Sequence, residues 1–379
     1  MPDKPIRRYH PALHTAACTL FGIDVPIVQT GMGWVAGVPL AAATSEAGGL
    51  GIVAAATMTV GELRNAIVGM RALTDKPFGV NMRPDHHDLD ARVALLIEAH
   101  VPVASFAKLP SEKVISRLKQ ANVITMATVG AKKHAEKVVK MGVDAVIAQG
   151  GEGGGHTGEV PTTLLLPQVV DVAGPAGVPV LGAGGFFDGR GLVAALSYGA
   201  DGVAMGTRFL MTRESATAQR VKEIYQRTTV TDTVVTRSVD GYPQRVIRTK
   251  LVRAFERSGV VLGLAIALKC AIHFRKLTGV SLWNMFHEGL ALRKRNGLTW
   301  AQVLMAANAP MLTRASMVDG RVDVGILPTG QVAGVIGDLP CVSELIERIM
   351  GEAEASLHRF ERSAFTPKAV VTRSDAVQW

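Results

Sequence analysis

Apolar residues fall in eight short runs, at 27–31, 50–56, 78–82, 101–107, 123–129, 145–149, 180–184 and 203–209. A stretch with helical spacing follows nearly every one. In 59–73, for example, Val60, Leu63, Ile67 and Met70 share one face; 89–99 and 111–120 repeat the pattern, with Ser111 placed as an N-cap. The runs are nearly all apolar, as strands covered on both faces must be, and each spacing fits one strand-loop-helix-loop unit. Eight such units predict an α/β fold, a TIM (β/α)8 barrel; a doubly wound sheet accommodates eight near-equal units less well.

The pattern changes after the eighth run. Long helical periodicity through 251–255, 260–274 and 282–295 predicts a helical insertion, and a further helix over 341–360 is placed to close the barrel. We therefore expect a barrel over 1–215, a basic and mainly helical insertion or substrate domain over 216–325, and a C-terminal helix and tail over 326–379.

Charge sharpens this division. The chain of 379 residues carries 41 Lys and Arg against 32 Asp and Glu, a formal net charge of +9. Eleven basic and only two acidic residues lie between Gly241 and Trp300, so the whole excess sits on the insertion and the rest is balanced. Three scattered cysteines, Cys18, Cys270 and Cys341, exclude a disulfide framework and a Cys-based zinc site, and they suit a cytoplasmic setting. The first eighteen residues contain no continuous apolar run, and the ten residues of 259–268 are too short to span a bilayer, so no membrane association is expected.

A TIM barrel places its chemistry where the strands end, and phosphate commonly binds in the loops after the seventh and eighth strands. Those loops read Gly182-Ala183-Gly184-Gly185 and Met205-Gly206-Thr207-Arg208, which offer backbone N–H groups, a hydroxyl and a cation. They do not form a Rossmann fingerprint, because the third glycine is misplaced and Asp201 precedes the following strand. After the sixth run comes Gln149-Gly150-Gly151-Glu152-Gly153-Gly154-Gly155-His156-Thr157-Gly158. Its glycines allow close backbone approach to a flat ligand and leave His156 as the group best placed for proton transfer near neutral pH. No metal site is expected: His86 and His87 are adjacent, beside Asp85 and Asp88, and read as a helix-start loop. The nucleophilic cysteine that an IMP dehydrogenase-like barrel needs after its sixth strand is missing.

These motifs, with Gln29-Thr30-Gly31-Met32, Phe78-Gly79-Val80-Asn81 and Gly330-Gln331-Val332-Ala333-Gly334, resemble the nitronate monooxygenase (2-nitropropane dioxygenase)-like FMN proteins, which include flavin-dependent enoyl-ACP reductases. The resemblance implies an FMN whose phosphate lies between Gly184/Gly185 and Gly206/Thr207. Its ring system would be covered by Thr30, Gly31 and Met32 and touched by Asn81, Gln149, Gly150 and Gln331, with His156 as the catalytic histidine. Relatives usually carry Ala-Pro-Met at 30–32, and some carry a lysine on the fifth strand that is missing from 125–128. These departures make nitronate oxidation with O2 the alternative reading.

Nearly the whole chain resembles those members that act in steroid C/D-ring breakdown. This implies a polycyclic acyl-CoA substrate whose phosphates the basic insertion would bind. NADH remains open as electron partner and a homodimer as assembly. Nucleic-acid binding is not expected, because the basic helices lack interleaved exposed aromatics and any reading motif. Trp283, Phe286 and Trp300 read as packing residues of the insertion.

Overall fold

The structure is a computed structural model and describes residues 9–239, 241–257 and 311–365. Eight parallel strands close into a barrel: β1 (Ile27–Gln29), β2 (Leu50–Ala54), β3 (Phe78–Met82), β4 (Val103–Phe106), β5 (Ile124–Val129), β6 (Ala145–Gln149), then β8 (Val180–Ala183) and β9 (Gly202–Met205), which returns to β1. The TIM barrel predicted from the apolar runs is the observed fold. Inward residues such as Val28, Ile52, Val103, Met126, Ile147 and Leu181 form one buried cluster. Helix α1 (Ala16–Phe21) plugs the far end of that cluster with Ala17, Cys18 and Phe21.

The outer strand faces are covered by helices, among them α2 (Val38–Glu46), α3 (Val60–Leu73), α4 (Leu89–Glu98), α5 (Glu112–Gln120), α6 (Lys132–Lys140), α7 (Thr162–Ala173) and α8 (Gly189–Ser197). Their starts follow local chemistry. Thr59 and Glu62 form a reciprocal capping box at α3, and the Ser111 hydroxyl accepts from Val114 N at α5, as its N-cap position predicts.

Two elements depart from the sequence reading. The eighth run was expected to be strand through Phe209, but β9 stops at Met205 and Thr207–Leu210 forms the short helix α9. Its apolar residues are buried as a helix turn, which an apolar run of this length cannot distinguish from strand. The segment that follows is not purely helical. After α10 (Gln219–Arg227), strands β10 (Thr233–Thr236) and β11 (Gln244–Ile247) form an antiparallel hairpin, and β11 pairs in turn with β7 (Gly155–His156) inside the Gly-rich loop. Helix α11 (Lys250–Arg257) contains the predicted 251–255 turn. The predicted helices at 260–274 and 282–295, together with Cys270, Trp283, Phe286, Arg293–Arg295 and Trp300, lie outside the described residues, as does the tail from 366.

The C-terminal helix α12 (Val342–Phe365) forms as expected. Val342, Leu345, Ile346, Ile349, Met350 and Ala353 put one helical stripe into the main core. It packs on α8 where Gly189 leaves no side chain, and Glu352 accepts a hydrogen bond from Gly189 N at 2.9 Å. None of the described helices is long and apolar enough to cross a membrane.

Candidate active site

The strand ends bring most of the expected residues to one mouth. Gln29 is fully buried: its amide accepts from Ile52 N at 3.3 Å and donates to Ile52 O at 3.2 Å and to Thr30 O. This pins the end of β1, from which Thr30, Gly31 and Met32 continue, and Thr30 N donates to Met205 O at 3.1 Å. Gly31 lies so close to Asn81 that a β-carbon would overlap the amide. Asn81 donates from Nδ2 to Ser105 Oγ at 3.3 Å, its register partner on β4. Across the mouth, a β-carbon on Gly206 would lie 3.1 Å from Thr30 Oγ1 and 3.6 Å from Met32 Sδ. Thr30, Gly31, Met32, Asn81 and Gly206 thus share one neighbourhood.

The loops after β6, β8 and β9 meet beside it. Gly150 N donates to Ala183 O at 2.9 Å, and a β-carbon on Gly184 would lie 3.1 Å from Gly150 O, Gly153 N and Thr162 Oγ1. Gly184 and Gly185 turn with φ of +92° and +83°, a region glycine enters without a β-carbon penalty. Thr207 Oγ1 accepts from Gly330 N at 2.9 Å, and Gln331 N donates to Glu152 O at 3.0 Å. Gly184, Gly185, Gly206, Thr207 and Gln331 therefore come together around the Gly-rich loop.

That loop is held by residues whose roles the sequence does not announce. The Glu152 carboxylate accepts from Thr162 N at 3.0 Å and from Thr162 Oγ1 at 2.6 Å, so it sits on the N-terminus of α7, where a negative charge is favoured. Arg245, counted in the basic surplus, is half-buried and donates to Gly151 O and to Thr233 Oγ1. Burial pulls its guanidinium below the usual arginine range, while the nearby Glu152 charge opposes that shift. His156 itself is exposed. Its backbone is fixed by pairing with Gln244 and by Gln149 Nε2, which donates to His156 O at 2.8 Å, so the imidazole is presented at the mouth from a rigid base.

The cation expected beside Thr207 is not there. Arg208 is buried and turned to the C-terminal segment, donating to Asp338 Oδ1 at 2.8 Å and Met211 O at 2.8 Å. Burial draws its pKa down, and the Asp338 contact pushes it back up. The His86-His87-Asp88 group lies in the loop before α4. Its possible ligand atoms are within 4.8 Å of one another, but Asp88 is bound to the buried Arg92 guanidinium and His86 Nδ1 lies 2.6 Å from Asp88 Oδ1. The group behaves as a helix-start anchor.

The sequence pattern of the nitronate monooxygenase family matches residues 14–92 and 86–352. A protein of Mycobacterium tuberculosis named (3aS,4S,5R,7aS)-5-hydroxy-7a-methyl-1-oxo-octahydro-1H-indene-4-carboxyl-CoA dehydrogenase is 54% identical over 341 residues, covering 90% of this chain and 96% of that protein. Its namesake in Rhodococcus jostii is 52% identical over the same length, with the same coverage. Among solved structures, FabK from Thermotoga maritima superposes with a TM-score of 0.75 at 34% identity, over 92% of this chain and 99% of that one. With the barrel, the glycine-lined mouth and the histidine on its Gly-rich loop in place, the chain belongs to the nitronate monooxygenase family of flavin-dependent oxidoreductases.

Proposed function

We propose that this protein is an FMN-dependent dehydrogenase acting on a carbon–carbon bond of a polycyclic, steroid-derived acyl-CoA, with His156 as acid/base. The observation that carries the reading is the placement of His156: an exposed imidazole on a backbone pinned by Gln149 and Gln244, beside a cradle of glycines that side chains would fill. Likeness to the two indene-carboxyl-CoA dehydrogenases over 90% of the chain supports the substrate class.

The donor set fits a flavin mononucleotide. Backbone N–H groups around Gly184, Gly185 and Gly206 with the Thr207 hydroxyl would hold the phosphate; Thr30, Gly31, Met32, Asn81, Gln149, Gly150 and Gln331 would border the ring system. When bound, FMN supplies a two-electron acceptor for the hydride leaving the carbon β to the thioester. On an imidazole nitrogen His156 takes the proton of the adjacent α-carbon, whose C–H the thioester carbonyl makes acidic. The buried Gln29 contacts with Ile52 and the Asn81–Ser105 hydrogen bond hold β1 to β2 and β3 to β4 where these strands end at the mouth. The basic segment after β9 would hold the CoA phosphates, with O2 or an oxidised nicotinamide as the later electron acceptor.

The test is anaerobic titration of the flavin-loaded protein with steroid-derived acyl-CoAs and, separately, with alkyl nitronates. Bleaching of the flavin by an acyl-CoA, slowed about a hundredfold or more in His156→Ala with FMN still bound, is the expected result. Bleaching by nitronate alone would replace the acyl-CoA reading, and unchanged bleaching in His156→Ala would remove the histidine from the chemistry.

A further inference from the structure

The hairpin β10–β11 brings more than a backbone partner to the Gly-rich loop. Its turn carries Gly241, Tyr242 and Pro243, and the Pro243 carbonyl accepts from Thr157 N at 3.1 Å, one residue past His156. This contact seats the turn directly over the histidine. The Tyr242 ring meets the His156 imidazole edge to face, with centroids 6.1 Å apart and planes at 75°. That is the geometry in which two aromatic quadrupoles attract.

Tyr242 is also held from another element. Lys108, just past the end of β4, places its ammonium 5.1 Å from the centre of the Tyr242 ring, within the range of a cation–π contact. Lys108 Nζ in turn donates to Asp85 Oδ2 at 3.0 Å, and Arg83 binds the same carboxylate. The loop after β3, the end of β4, the hairpin turn and the Gly-rich loop are thereby linked in one row across the mouth. An exposed tyrosine on a hairpin turn would ordinarily sample many orientations. This one has contacts with both a cation and the imidazole.

We infer that Tyr242 is a positioning residue: its ring holds the His156 imidazole in one orientation, while Lys108 holds the ring in place. The part that imidazole plays in turnover rests on the function proposed above; its contact with Tyr242 does not. The ring and not the hydroxyl does this, so phenylalanine should serve in its place.

The test compares Tyr242→Ala and Tyr242→Phe with the wild-type protein. Tyr242→Ala slows flavin bleaching by the acyl-CoA about ten- to a hundredfold, the scale of a misplaced catalytic group, and Tyr242→Phe restores it. A wild-type rate in Tyr242→Ala overturns the inference; so does a Tyr242→Phe rate as slow as that of Tyr242→Ala. A second readout needs no substrate. The His156 imidazole C–H signals, identified in 1H–13C spectra by their loss in His156→Ala, should shift in Tyr242→Ala as the ring current disappears and stay near their wild-type positions in Tyr242→Phe. Unmoved signals in Tyr242→Ala overturn the contact. Failure of every acyl-CoA to bleach the wild-type flavin would instead sink the proposed substrate and leave the spectra to decide the role of Tyr242.

Discussion

Arg245 reaches from β11 to the carbonyl oxygen of Gly151 with two donors, Nε at 3.1 Å and Nη2 at 2.9 Å. Gly151 lies in the loop that carries His156, and the same guanidinium donates to Thr233 Oγ1 on β10 at 2.9 Å. One side chain therefore ties the hairpin to the Gly-rich loop. Replacing it with methionine keeps the apolar stem but leaves the Gly151 oxygen without its charged partner. Hydrogen bonds to charged groups contribute about 1.5–3 kcal/mol each, and the pair shares one acceptor, so Arg245→Met should cost about 2–3 kcal/mol in denaturant unfolding. Turnover should fall as well, because the loop under His156 loses an anchor. The exposed Arg237, which pairs with Glu159 at the surface, is the control, and Arg237→Met should change stability by less than about 1 kcal/mol.

Gly154 tests the meeting of the Gly-rich loop with the C-terminal segment. A β-carbon there would lie 2.5 Å from Gly330 N and from Thr329 C, both backbone atoms that cannot rotate away. Gly154→Ala must therefore push the two segments apart, disturbing Gly330 N on Thr207 Oγ1 and Gln331 N on Glu152 O. The expected outcome is weaker FMN retention, read as flavin lost on dialysis, with the barrel still folded by circular dichroism. Gly61→Ala, inside α3 with open space around it, should retain flavin and add up to about 1 kcal/mol of stability.

The barrel was legible in the sequence because strands buried on both faces must be apolar throughout, and their spacing then exposes the repeat. The glycine loops and His156 were legible because nothing in helix or sheet propensity calls for six glycines around one imidazole. The hairpin was not. Its strands are four residues long and carry threonine, glutamine and arginine, and β11 joins Gln244 to His156 across a long stretch of chain. Arg208 misled for a related reason: beside Gly206 and Thr207 it looks like a phosphate ligand, and only folding brings Asp338 close enough to take it. Arg245 likewise reads as one more charge in a basic segment until Gly151 is placed beside it.

Gly189 opens α8 where α12 crosses it. A β-carbon there would overlap Ala353 N and Ile349 O and lie 2.5 Å from Glu352 Cβ, so two helix backbones would have to separate. Gly189→Ala should destabilise by about 3 kcal/mol or more, at or above the upper end for overpacking in a core, because the obstructing atoms are backbone. The loss should appear as a lower unfolding midpoint in urea with the slope unchanged. An unchanged midpoint would mean that α12 is not seated on α8 as described.

Asp88 supplies a pH dependence with a definite sign. Hydrogen bonding from Arg92, joined by His86 and only partly opposed by burial, lowers its carboxyl from 3.8 to about 2. The side chain is 19% exposed and its partner Arg92 is 1% exposed, so solvent screens the pair little. Because the folded value is the lower one, the unfolded chain binds the proton first as pH falls. The stabilisation is complete above about pH 5 and is lost between there and about pH 2; at 1.36 kcal/mol per pKa unit it amounts to about 2 kcal/mol. Asp88→Asn removes this titration. Unfolding free energies of the wild type and the variant, measured from pH 5 down to pH 2, should therefore converge by about that amount as the acid limb is descended. Parallel curves would show that Arg92 is held by the Ala55 and Met58 carbonyls alone, to which it also donates.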